Sequence, residues 1–189
     1  VAGVNISVPV LGGGRNKYIN FDNAASTPPL ISVWKSLEKF KDYYSSVHRG
    51  TGYKSVVSTE IYDKAHDKAL DFVSADKNYF TSIFVKNTTE GLNKIARRMQ
   101  FEKGDIVLTS LMEHHSNDLP WRAVAQTEHI EIDDNGFLDL DDYGKKLKEF
   151  GGKVKLVAIS GASNVTGIIT PIRELASMAH EAGAEILID

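Results

Sequence analysis

The chain has no cysteine among its 189 residues. That absence excludes a disulfide framework, a thiolate zinc centre and a cysteine nucleophile within this stretch, and by itself leaves the compartment open. Long apolar runs are missing too, since no segment approaches the roughly 20 apolar residues of a bilayer span. No membrane partner is therefore expected. Residues 1–11 are apolar but carry neither a basic leader nor a long hydrophobic stretch, so they do not read as a signal peptide, and the expected setting is the cytoplasm. Positive charge is not in excess either: 22 Lys and Arg stand against 25 Asp and Glu, for a formal net charge of -3. The basic residues are scattered among acids, so no stripe for nucleic acid forms. What remains is an ordinary globular composition, 42% hydrophobic and 25% charged, enough for a domain with a real core. Small-molecule chemistry is the function class that fits it.

Periodicity organises the chain. Gly12-Gly13-Gly14 is flexible punctuation, and the alternation over 18–21 suits a short strand. Ser26 and Thr27 before Pro28-Pro29 signal a helix start, because proline in a first turn gives up no needed hydrogen bond. A helix is expected over 31–44, a loop over 45–52, and a second helix with Ile61, Ala65, Ala69 and Val73 on one face. Beyond Tyr79 strands and helices alternate: strands over 80–85, 106–108, 129–132, 154–160 and 185–189, helices over 89–100, 119–125, 140–150 and 172–182. This order predicts an α/β fold with a mostly parallel sheet flanked by helices. The apolar run Ile186-Leu187-Ile188 ends the chain without a covering helix, so the domain is expected to be truncated. His66 and His180 lie in helices of mixed charge and are expected to be exposed, while Trp34 and Trp121 are expected to anchor packing.

Four places could carry chemistry. Asn87-Thr88-Thr89-Glu90-Gly91 stands between a strand and a helix. Free N–H groups at a helix start, with two adjacent hydroxyls, suit a phosphate, and the same residues read equally as a capping box. Glu113-His114-His115-Ser116-Asn117 follows a strand, where ligands of open parallel sheets sit. A histidine there can touch a bound ring or simply face water. Adjacent histidines project differently and the spacing of a zinc-protease helix is absent, which argues against metal. Ser163-Asn164-Val165-Thr166-Gly167 follows another strand, where Asn164 is either a donor to a ring oxygen or a turn former. Asp189 closes an apolar strand, and a carboxylate there either meets a cationic partner or already lies in water.

These four places, in this order, resemble the class V aminotransferase family of fold-type I pyridoxal-phosphate enzymes. Asp22-Asn23-Ala24-Ala25-Ser26-Thr27-Pro28 is similar to the family's opening motif. Val47-His48-Arg49-Gly50 is similar to the branch of Suf-type cysteine desulfurases and selenocysteine lyases. The resemblance runs from about Tyr18 to Asp189 and implies an aspartate-aminotransferase-like large domain. It divides the chain into an N-terminal segment, 1–57, belonging to the small domain and substrate entrance, and the first part of the cofactor domain, 58–189.

The resemblance also implies roles for individual residues. Thr88 and Thr89 bind the phosphate of pyridoxal 5'-phosphate, His114 stacks on the ring and assists proton transfer, Asn164 bonds the ring's 3-oxygen, and Asp189 pairs with the ring nitrogen. The implied activity is conversion of cysteine to alanine with transfer of sulfur to a persulfide. A homodimer and a sulfur-acceptor protein are the implied partners. Selenocysteine lyase, kynureninase-like and epimerase-like members share these motifs, and a non-catalytic module for a phosphorylated ligand stands as the alternative from another class. The family's cofactor lysine, the following glutamine, the substrate-carboxylate arginine and the persulfide cysteine all fall after Asp189. The chain by itself is therefore expected to have no turnover. Asn87 stands where the Suf-type branch usually has glycine.

Overall fold

A computed structural model describes residues 1–189 and divides them into two compact units, Val1–Phe84 and Val85–Asp189. Val57, where the resemblance divides the chain, lies within a continuous helix, Tyr53–Phe72.

In the first unit β1 (Ser7–Pro9) pairs antiparallel with β2 (Arg15–Lys17). Between them Gly12, Gly13 and Gly14 take φ of 92°, 92° and 87°, a region closed to most side chains, so the glycine triplet is the turn of a hairpin. The strand expected over 18–21 thus lies earlier in the chain, and only the Tyr18 N–H extends the pairing, to the Ile6 carbonyl at 3.0 Å. Helix α1 (Ile31–Phe40) runs into a 3-10 turn, Lys41–Tyr43, together filling the helix expected over 31–44. The second expected helix is α2 (Tyr53–Phe72). Trp34 on α1 is 56% exposed and is not the packing anchor that its type suggested. His66 on α2 is half-buried, its Nδ1 donating to the Ser82 carbonyl at 2.7 Å. The charge pattern around His66 implied solvent; an acceptor supplied by a distant segment drew it in instead.

The second unit is the α/β layer. Its elements are α3 (Thr88–Arg98), β3 (Ile106–Ser110), α4 (Leu119–Arg122), β4 (Gln126–Ile130), α5 (Leu140–Phe150), β5 (Val154–Ile159), α6 (Ile172–Glu181) and β6 (Glu185–Ile188). The four strands form one parallel sheet in the order β4-β3-β5-β6. Strand side chains alternate between faces, and both faces here are apolar. Ile106 and Leu108 of β3, with Val157 and Ile159 of β5, pack with Tyr143 and Leu147 of α5 and Leu175 and Ala179 of α6. Val107, Leu156 and Ala158 point the other way, against Leu92 and Ala96 of α3 and Trp121 of α4. That is why β3 and β5 read as nearly continuous hydrophobic runs rather than alternating ones. Trp121 is fully buried, and its indole N–H donates to the Asn117 carbonyl at 2.9 Å. Truncating such a side chain costs about 3–5 kcal/mol.

Two further expectations fail. Residues 80–85 form no strand, and Phe80 and Ile83 are 61% and 74% exposed; a run of strand-forming residues makes a strand only when another backbone accepts its ladder. Helix α4 is also shorter and β4 begins earlier than the apolar pattern implied, because Gln126 N–H already bonds the Asp105 carbonyl at 3.2 Å and enters the sheet beside β3.

Candidate active site

Because β3, β5 and β6 are parallel neighbours, the loops that leave their C-terminal ends emerge at one end of the sheet. His114 lies on the loop after β3, Asn164 on the loop after β5, and Asp189 at the end of β6. Close approach at this end depends on Gly161: a Cβ there would stand 3.0 Å from Ile188 Cγ2. With glycine in place, Gly161 N–H bonds the Asp189 carbonyl at 2.8 Å and Asp189 N–H bonds the Ile159 carbonyl at 2.9 Å.

The start of α3 forms the capping box that its sequence suggested. Asn87 caps the helix, its Oδ1 accepting from Glu90 N–H at 2.9 Å, and Glu90 Oε2 accepts from Lys86 N–H at 2.7 Å. This capping box uses the Glu90 amide and leaves those of Thr88 and Thr89, which have no intrahelical acceptor, free for an anion. Thr89 Oγ1 donates to Ser116 Oγ at 3.1 Å, and the Ser116 hydroxyl lies 2.5 Å from His114 Nδ1. The first turn of α3 and the loop after β3 are therefore joined side chain to side chain. Thr89, Asn93, His114, Ser116, Leu119 and Pro120 are among the residues lining an open cleft of about 430 Å³. The apolar floor from Leu119 and Pro120 and the exposed His114 ring suit a flat ligand with one anionic end.

Glu113 organises the neighbouring loop. Its carboxylate accepts from Ser110 Oγ at 2.6 Å, Asn117 Nδ2 at 2.7 Å, Ser160 N at 3.0 Å and Ser160 Oγ at 2.6 Å. Four donors on one carboxylate tie the loop after β3 to the end of β5. Asp189 feels the result. Burial pushes its carboxyl above the usual aspartate range, the negative charge of Glu113 pushes it further, and His114 opposes them. His114 supplies only part of the counter-charge for a carboxylate in that condition, and a ring cation would supply the rest.

Of the residues singled out from sequence, Thr89 and His114 meet through Ser116, and Asp189 lies within electrostatic reach of His114. Thr88 joins them through its place in the first turn of α3. Asn164 sits on the loop after β5 with an exposed side chain that makes no hydrogen bond. Two contributors carried no assigned role in the sequence reading, Glu113 and Ser116, because their partners lie 47 and 27 residues away. A third is Asp118, 11% exposed at its side chain, which accepts from Arg122 at 3.0 and 2.6 Å and from His129 at 2.9 Å. Its only local sign was the i, i+4 spacing to Arg122.

Residues 19–189 match the family described as Aminotransferase class-V. The chain belongs to the class V aminotransferase family. Among its relatives, a Pyrococcus abyssi protein named "Probable cysteine desulfurase" is 39% identical over 181 residues, covering 90% of this chain and 43% of the relative. A Haloferax volcanii protein named cysteine desulfurase is 34% identical over 181 residues, covering 90% of this chain and 42% of its own. An apo structure of cysteine desulfurase from Thermococcus onnurineus NA1 superposes with a TM-score of 0.81 at 35% identity, over 89% of this chain and 43% of that one. The chain thus spans less than half the length of the class V relatives it matches. These likenesses bear out the family, the α/β fold and the partial domain expected from the motifs.

Proposed function

We propose that the protein to which this chain belongs is a pyridoxal-5'-phosphate enzyme that takes sulfur from cysteine, leaving alanine. The observation that carries the reading is the meeting of Thr89, Ser116 and His114 beside the end of β6, with Asp189 short of counter-charge. The donor set fits the cofactor. Two free amides and a hydroxyl suit its phosphate, the exposed His114 ring offers a face for stacking, the unengaged Asn164 amide suits the 3-oxygen, and Asp189 suits the ring nitrogen.

When bound, pyridoxal phosphate supplies a sink for electrons released at the substrate's α-carbon. The residues of this chain orient it. Thr88 and Thr89 hold the anionic end at the positive pole of α3, His114 covers one ring face and handles protons there, and Asp189 keeps a positive charge on the ring by pairing with it. Glu113 fixes the spacing between the His114 loop and the β5 end, so both sides of the cleft keep one geometry.

Cysteine as substrate follows from the relatives' names together with the Val47-His48-Arg49-Gly50 motif. A homodimer and a protein sulfur acceptor belong to the same reading. A cytoplasmic setting belongs to the same reading, and no helix is long and apolar enough to cross a membrane. The test is direct: full-length protein reconstituted with pyridoxal phosphate should form alanine and persulfide sulfur from cysteine. Cofactor binding with no alanine from cysteine, but turnover of selenocysteine or kynurenine, would move the assignment elsewhere in the family.

A further inference from the structure

His114 Nδ1 lies 3.1 Å from the backbone nitrogen of Ser116 and 2.5 Å from the hydroxyl of the same residue. A backbone N–H can only donate. Nδ1 must therefore be the acceptor and carry no proton, so the neutral ring bears its proton on Nε2. The Ser116 hydroxyl receives a bond from Thr89 Oγ1 at 3.1 Å. That bond occupies one of its lone pairs and leaves its hydrogen for Nδ1. The chain Thr89 to Ser116 to His114 has one direction of donation throughout.

We propose that Ser116 is a positioning residue that locks His114 in the tautomer protonated at Nε2, so that the imidazole presents a proton donor rather than a basic nitrogen to the occupant of the cleft. The catalytic meaning of this lock rests on the reading of the cleft as the cofactor site; the lock itself does not. A neutral ring held this way gains a further proton only at Nδ1, where the bond from the Ser116 amide must break and the Ser116 hydroxyl must turn from donor to acceptor. Its part is to donate a hydrogen bond through Nε2–H and to orient by its face. An anion at the start of α3 competes with Ser116 for the single Thr89 hydroxyl proton. The Ser116 amide is untouched by that competition, so the tautomer persists when the anion site fills.

The experiment uses full-length, cofactor-free protein labelled with 15N-histidine, with the His114 signals identified by their loss in His114→Gln. At alkaline pH the His114 Nδ1 should show the shift of an unprotonated ring nitrogen and Nε2 that of a protonated one, with inorganic phosphate leaving this assignment unchanged. Ser116→Ala should lower the ratio of the two tautomers about fivefold, the worth of one neutral hydrogen bond, and Ser116→Thr should restore it. A wild-type ring protonated at Nδ1 overturns the proposal, and so does an unchanged ratio in folded Ser116→Ala. If that variant does not fold, the wild-type spectrum decides alone. Because every reading is taken without cofactor, a protein that shows the lock yet binds no pyridoxal phosphate rejects only the functional assignment.

Discussion

Glu113 and Ser160 are 47 residues apart in the chain and meet through two hydrogen bonds, the Ser160 amide at 3.0 Å and its hydroxyl at 2.6 Å, both ending on the Glu113 carboxylate. This contact sets the distance between the loop carrying His114 and the strand end beside Asp189. It also places a negative charge near a second carboxyl, a conflict that a fold has little reason to keep unless a cation enters beside it.

Glu113→Gln keeps the shape of the side chain but turns one acceptor oxygen into a donor. With four donors aimed at it, at least one is then left facing another donor, and the variant should lose about 1–3 kcal/mol of stability, measured by the urea midpoint. The same change removes a negative charge near Asp189, so the Asp189 carboxyl should titrate lower, followed by carboxyl 13C shifts. An unchanged midpoint together with an unchanged Asp189 titration would show that Glu113 does not organise this end of the sheet.

Asp189→Asn tests the proposed pairing with a ring cation. In the full-length protein the variant should bind pyridoxal phosphate about 10- to 100-fold more weakly, the equivalent of a lost charge-assisted hydrogen bond, and should turn over correspondingly less. Wild-type affinity measured by absorbance titration, accompanied by normal kcat, would remove Asp189 from the site.

Asp118 gives a prediction in pH. Burial pushes its carboxyl up, but the hydrogen bonds and charges of Arg122 and His129 outweigh burial and hold it below the ordinary value of 3.8. A carboxyl depressed in the folded state stabilises the fold fully above its unfolded value, and that contribution disappears as the pH falls through the folded one. Asp118→Asn should therefore cost about 1 kcal/mol near neutrality, at the low end of the range for charged hydrogen bonds because the Arg122 partner is half-exposed to screening solvent. The gap in urea midpoint between wild type and variant should close on acidification below the unfolded value. A gap that stays constant into that acidic range contradicts the pairing.

Much of the second unit was legible in the chain. The apolar runs of β3 and β5, the cap at Asn87 and the period of α5 and α6 each follow from local rules that act within one turn or one strand. The failures share a cause. Residues 80–85 have the residue types of a strand without a ladder, Trp34 has the side chain of an anchor without a cover, and His66 lies among charges yet finds a distant carbonyl. Whether such a residue is paired depends on what another segment brings to it, and local pattern carries no record of that.

By itself the sequence determined which residues could hold an anion, cover a ring and balance a cation, because these capacities belong to side-chain chemistry and to the starts and ends of elements. Only the tertiary structure decided that Ser116 joins Thr89 to His114, that Glu113 clasps Ser160, and that Asp189 is short of counter-charge. Hydrogen bonds and electrostatic fields act over a few ångströms of space, and folding alone sets which distant residues come within that range.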